Sequence, residues 1–218
     1  MKRTIYHGSI QTVEKPLYGY ESTNKSLDYG KGFYCTEDIE AAKEWASKKN
    51  GSGVVSSYSI DDKDLKILNL CDKDKYSILN WVALLIINRT HSESFYEEYD
   101  KEIEYLRKFY IDSSKYDVII GYRADDAYFA FPREFINSNI TLEKMEEIYH
   151  LGNLGKQYVL ISKKAFDCLN FLGDFETDES YQDRYNKNVA NATNMFYRIL
   201  KEERRAKGTR MRDLINNE

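Results

Sequence analysis

The chain has 218 residues and few of the features by which a sequence most directly discloses its class. Its three cysteines, Cys35, Cys71 and Cys168, are odd in number, widely scattered and without ligand-like spacing. That pattern points to neither a disulfide framework nor a zinc site. No apolar run follows Met1-Lys2-Arg3, so no signal peptide is expected and the chain reads as cytoplasmic. The most apolar stretch, Tyr76 to Ile87, is too short and too interrupted by polar residues to span a bilayer, which leaves a buried helix and no membrane partner. Nor is there an excess of basic residues: 32 Lys and Arg stand against 36 Asp and Glu, a net charge of −4. The overall basic field of a protein that lives on nucleic acid is missing, although a local patch remains open. Internal repeats are absent too.

What is present is ordinary for a globular chain: 42% apolar and 31% charged residues, with length enough for one large domain or two small ones around a genuine core. The 19 tyrosines are many, but with Lys, Asn and Ile also abundant, AT-rich codon usage accounts for them. Strand character is expected at Thr4 to Gly8, Gly32 to Thr36, Val54 to Ile60, Leu65 to Leu70, Tyr116 to Gly121 and Gln157 to Ile161. Helices are expected at Ile39 to Lys48 behind a Thr36 cap, from Tyr76, around the Tyr99, Ile103, Leu106 and Tyr110 face, after Thr141, and at Lys163 to Phe171. Residues 9–30 read as a long loop, and beyond Gly173 a linker leads into one long amphipathic helix. His91 and His150 sit in charged helical surroundings and read as surface residues. The tail from Lys201 to Arg212 holds six basic residues, either a solvated helix end or a contact for nucleic acid or a partner.

Three short motifs stand apart: Tyr6-His7-Gly8-Ser9 on the first strand, Gly30-Lys31-Gly32-Phe33-Tyr34 on the second and Gln157-Tyr158-Val159-Leu160-Ile161 on a late one. Each alone is weak, since a Gly-x-Gly before a strand is common in turns. In this order they resemble the ADP-ribosyltransferase superfamily, in the branch of diphtheria toxin and the poly(ADP-ribose) polymerases, and more closely a small bacterial family within it. The resemblance covers Thr4 to Phe171. It implies an α+β fold with a split β-sheet core over residues 1–173; the helical stretch near 74–112 reads as an insert and residues 174–218 as a helical extension, both outside the matching motifs.

The resemblance also implies roles. His7 and Gly8 would hold the adenosine-side ribose and the nicotinamide amide of NAD, used as co-substrate. Tyr34 would stack on nicotinamide, with Trp45 on the other face of the ring. Gln157 stands where that branch carries a glutamate that binds the nicotinamide ribose, and this is a departure. The chemistry asks for such groups: cleaving the nicotinamide–ribose bond builds positive charge on the sugar, so catalysis needs an oriented ring and dipoles or negative charge aimed at the ribose. Two aromatic faces can clamp a pyridinium for about 0.5–2 kcal/mol each. His7 can donate to a ribose hydroxyl, and Gln157 can accept from one, with less electrostatic help than a carboxylate gives. The neutral amide points to transfer of one ADP-ribose unit, or to a weak or silent NAD-binding or ADP-ribose-binding module. Asp125 and Asp126 are either turn or cap residues or the acceptor-side base, and Arg123 either meets a phosphate or pairs with Asp125. The expected activity is mono-ADP-ribosyl transfer to a protein or nucleic-acid acceptor by a bacterial or phage toxin or effector. An antitoxin is a further expected partner, and no metal is expected.

Overall fold

A computed structural model describes residues 2–19, 27–48, 51–89, 92–124, 126–151 and 155–217, with the side chains of 126–129, 150 and 151 outside that description. It is a mixed α+β structure with two sheets. In the first, β1 (Lys2–Ser9), β3 (Val54–Asp61) and β7 (Leu169–Glu176) lie in the order β1-β3-β7, antiparallel throughout. In the second, β2 (Phe33–Cys35), β6 (Lys156–Leu160), β5 (Val118–Tyr122) and β4 (Ile67–Asn69) lie in the order β2-β6-β5-β4. The sheets face each other over a cluster that includes Ile5, Tyr58 and Ile60 from one, and Cys35, Val118, Ile120, Tyr158 and Leu160 from the other. At one edge they are joined: the Tyr6 and Thr36 backbones exchange N–H to O bonds of 2.8 and 2.9 Å.

Topology explains the helical stretch in the middle of the chain. β4 and β5 are parallel neighbours, and parallel strands require a crossover. That crossover carries α2 (Ile78–Asn88), α3 (Glu93–Glu98) and α4 (Asp100–Arg107). α2 is buried along most of its length because it crosses the large core on the outer face of the second sheet, where Trp81, Leu84 and Leu85 meet Ile119 and Val159. The expected single face from Tyr99 to Tyr110 is interrupted, since Tyr99 ends α3 before α4 begins. No helix among the described residues is long and apolar enough to cross a membrane.

α1 (Ile39–Ser47) starts at Asp38 rather than Thr36: Asp38 Oδ1 accepts from the Glu40 and Ala41 amides, while the Thr36 backbone is committed to β1. α5 (Asp126–Ile136) carries Pro132 inside it, the residue type that disguises a helix in sequence. α6 (Leu142–Leu151) follows Thr141. The helix expected over Lys163 to Phe171 stops early. α7 spans Lys163–Asp167, and β7 then runs on to Glu176 with alternate residues inward. Gly173, which reads as a chain break, sits within β7 at φ +140°, beside the register shift opposite Ser57 and Tyr58. A boundary at residue 173 therefore cuts a strand that the first sheet needs.

α8 (Ser180–Glu203) packs on α1 and α5, and α9 (Met211–Asn216) closes the chain. Ile199 and the fully buried Met211 belong to the large core. Arg210 is fixed there by donating to the carbonyls of Ser138, Glu203 and Ala206, so part of the basic tail is structural.

Candidate functional site

The Tyr6–Thr36 bridge is where the site begins. In an antiparallel ladder successive residues turn their backbone groups to alternate sides. Tyr6 faces Thr36, so Gly8, two residues on, turns its N–H and C=O the same way, into the gap where β1 and β2 diverge. Side chains alternate as well. Tyr6 packs with Ala42 and Ala46 of α1, while Ile5 points toward the second sheet. A Cβ on Gly8 would lie 2.1 Å from the Ala42 carbonyl oxygen, so α1 presses directly on β1 and only glycine fits. Gly8 thus has a packing reason of its own, and that packing fixes where α1 carries Trp45.

His7 points to the other side. Its ring lies 4.4 Å from Phe33 and its Nδ1 is 2.7 Å from the Tyr34 carbonyl oxygen, a bond that ties the first sheet to the second. Burial lowers the His7 pKa, only partly offset by that bond, so the ring is neutral near pH 7. The carbonyl can only accept, which assigns the proton to Nδ1 and leaves Nε2 as an acceptor. The sequence-based expectation of a donor to ribose is reversed: His7 can accept from a ribose hydroxyl.

Tyr34, Gln157 and Val159 share a face of the second sheet, because Tyr34 pairs with Val159 and Gln157 lies two residues away. The Tyr34 hydroxyl donates to the Gly30 carbonyl at 2.7 Å and accepts from the Tyr29 amide at 3.0 Å, and burial raises its pKa. The hydroxyl therefore holds the preceding loop and only the ring is left for a ligand. Gln157 is 7% exposed, and its Oε1 has no hydrogen-bond partner among the described residues. Leaving a buried acceptor unpaired costs about 1–3 kcal/mol, so such a group calls for a ligand or another compensating role.

Trp45 Nε1 is likewise buried without a partner among the described residues. The Arg123 guanidinium lies 4.8 Å from the Trp45 ring centroid. Arg123 follows Tyr122, the partner of Lys156 next to the Gly121–Gln157 pair, so Trp45 reaches the same end of the sheet as Gln157. A cation thus already covers one face of the ring expected to grip a pyridinium. Arg123 belongs to that stack rather than standing as an exposed residue.

Sequence reasoning missed the group that fixes the neighbouring loops. Arg89, just past α2, donates from Nε and Nη2 to Asp28 Oδ1 at 3.1 and 2.5 Å, and Nη2 also reaches the Ala124 carbonyl at 2.6 Å. The Ala124 amide in turn donates to Asp28 Oδ2 at 3.1 Å. Burial pushes the Asp28 carboxyl up and Arg89 pulls it back. These bonds clamp three segments together: the loop before Gly30, the end of the crossover, and the loop leading to α5. No local pattern announces them, since the two charges are 61 residues apart. Asp125 and His91 lie outside the described residues, Asp126 opens α5 with its side chain outside them, and so does the side chain of His150. Among the described residues no cluster of His, Cys, Asp and Glu could hold a metal ion.

A family model described as "Protein of unknown function (DUF3990)" matches residues 3–171. The chain belongs to the DUF3990 family. The DUF3990 match takes in β1, β2, α1, the crossover and β6, and it ends inside β7, before α8 and α9. No curated protein and no solved structure is significantly similar to this DUF3990 chain.

Proposed function

We propose that this protein is an NAD-dependent mono-ADP-ribosyltransferase. The observation that carries the reading is the buried, unpartnered Oε1 of Gln157, on the sheet face that also bears Tyr34 and beside the gap into which Gly8 turns its backbone. The groups fit NAD in kind. Gly8 offers one N–H and one C=O, the complement of a carboxamide. The Tyr34 ring and the Trp45 ring offer π faces, His7 Nε2 accepts from a ribose hydroxyl, and Gln157 Oε1 accepts from the other ribose.

When bound, NAD supplies a leaving group that departs as neutral nicotinamide with the electron pair of its bond to the sugar. The chain's own part is to orient and to shield. Gly8 and the aromatic faces fix the ring, and Gln157 directs a carbonyl dipole at the sugar where positive charge builds. A neutral amide stabilises that charge less than a carboxylate, which favours a single transfer over chain elongation. The acceptor's proton needs a base, and the Asp125-Asp126 stretch follows the loop that Asp28 and Arg89 hold. A bacterial or phage toxin or effector, acting in the cytoplasm on a protein or nucleic acid and neutralised by an antitoxin, is the setting that goes with this proposal.

One observation favours a second reading, an NAD-binding or ADP-ribose-binding module without turnover: Arg123 covers Trp45 while Gln157 lacks charge. Incubation with labelled NAD and a cell lysate, followed by nuclease or protease, separates the two. Transferred label that is lost on one treatment identifies the acceptor. Saturable NAD binding without nicotinamide release establishes the module. If wild type transfers no label, or if His7→Ala and Tyr34→Ala transfer as much as wild type, the enzyme reading fails. Gln157→Glu is expected to raise NAD hydrolysis.

A further inference from the structure

The cations along α8 and the residues just after it are treated in two ways. Near the start of the helix Arg184 is spent on α1: it donates to Glu40 at 2.8 Å and forms an ion pair with the buried Glu44 at 2.7 Å. Beyond it, Lys187, Arg198, Lys201, Arg204, Arg205 and Lys207 are all exposed, and none has an ion pair or hydrogen-bonded side chain among the described residues. From Lys187 to Lys207 these six cations face only two carboxylates, Glu202 and Glu203. Glu203 is 2% exposed and turned inward, where its Oε2 accepts from the Thr141 amide at 2.8 Å. The ridge is therefore strongly positive on a chain of net charge −4.

Its arrangement is regular. Lys187, Asn191, Asn194, Arg198 and Lys201 recur at spacings of four, three, four and three, which places them on one face of the helix over about 21 Å. All five are exposed, and no carboxylate lies between Lys187 and Lys201, while the exposed Asp183 and Glu202 flank the row one turn from Lys187 and Arg198. Attraction to the helix dipole explains cations only in the last turn, so Lys187 and Arg198 need another cause. Beside the row stands Tyr197, 65% exposed on an otherwise polar surface.

We propose that this outer face of α8, continued by Arg204, Arg205 and Lys207, is a docking ridge for single-stranded nucleic acid. Cations track the phosphates, the two asparagines supply donors and acceptors, and Tyr197 offers a ring on which an unpaired base can stack. A duplex keeps its bases stacked internally and has no use for that ring, which selects the single strand. The ridge lies on the face of α8 turned away from α1 and α5, against which the helix packs. The proposal goes beyond the NAD reading, and its test needs no NAD, so either can fail while the other stands.

The test is fluorescence anisotropy of a labelled 20-nucleotide oligothymidylate against the full chain, titrated at several salt concentrations. About four phosphate contacts predict a log–log salt slope near −3. R198E/K201E/R205E is expected to weaken binding about 100-fold at low salt, and Y197A about fivefold or more. K15E/K63E/K73E lowers the net charge equally at exposed positions off the ridge and should change affinity less than about threefold. All side chains changed are exposed, and unchanged circular dichroism checks folding. No binding by wild type, equal loss in the off-ridge variant, equal or tighter binding of a duplex, or binding of phosphatidylserine vesicles but not of the oligonucleotide overturns the proposal.

Discussion

Two neighbouring regions handle buried polarity in opposite ways. In the Asp28–Arg89–Ala124 network the buried charges are paired and the backbone groups they reach are bonded. Nearby, Gln157 Oε1 on β6 and Trp45 Nε1 on α1 are buried with no hydrogen-bond partner among the described residues. The first pattern is that of a structural clamp, which is costly to break because removing one partner strands the other. The second stabilises nothing by itself, and its groups are free to meet a ligand. The difference separates residues that shape the site from residues available to work in it, although both kinds are polar and buried.

Breaking the clamp should have the largest effect. Arg89→Ala leaves the Asp28 carboxylate buried without its partner and is expected to cost about 3–5 kcal/mol, or roughly 6–20 °C in Tm by thermal denaturation. A change below 1 kcal/mol would show that the pair is not the anchor described. Gly8→Ala comes next. A Cβ there meets the α1 backbone at the Ala42 carbonyl oxygen and the Ala46 nitrogen, so about 1–3 kcal/mol is expected, with weakened NAD binding as α1 shifts Trp45.

Gln157→Met sharpens the contrast because the sign reverses. Removing an unpaired acceptor should leave Tm unchanged or raise it by the equivalent of about 1 kcal/mol, while NAD binding measured by calorimetry is lost. A marked drop in Tm would place Gln157 with the clamp. The smallest effect concerns pH. His7 binds its proton more weakly in the folded state than in the unfolded chain, so the unfolded state takes up the proton first. Stability is then full above the unfolded pKa of about 6.5 and declines as pH falls below it. His7→Gln should flatten that part of the urea-denaturation profile between about pH 7 and 5.

Much of the secondary structure was legible because its signals are local. β-prone runs bounded by glycine located β1 and β5, alternation located β3, and the apolar run located α2. The failures have physical causes. β7 was hidden by Gly173, which reads as a break until β3 lies beside it and the bulge uses its φ. α5 was hidden by Pro132. Thr36 read as a helix cap because nothing in the sequence shows that its backbone is spent on Tyr6. The candidate site was legible as three motifs, but not its clamp, and not the direction of the His7 hydrogen bond.

The sequence alone determined the residue types at the motifs, the periods of most strands and helices, the net charge and the basic count of the tail, since each depends on neighbours within a few positions. Only the tertiary structure decided which polar groups were left without partners. It turned Arg210 and Glu203 inward and left six cations of the same segment facing water. It gave Asp28 to Arg89 and left Gln157 Oε1 without a partner among the described residues. Pairing of this kind depends on which distant segments the fold brings together, and at a separation of 61 residues no local pattern records it.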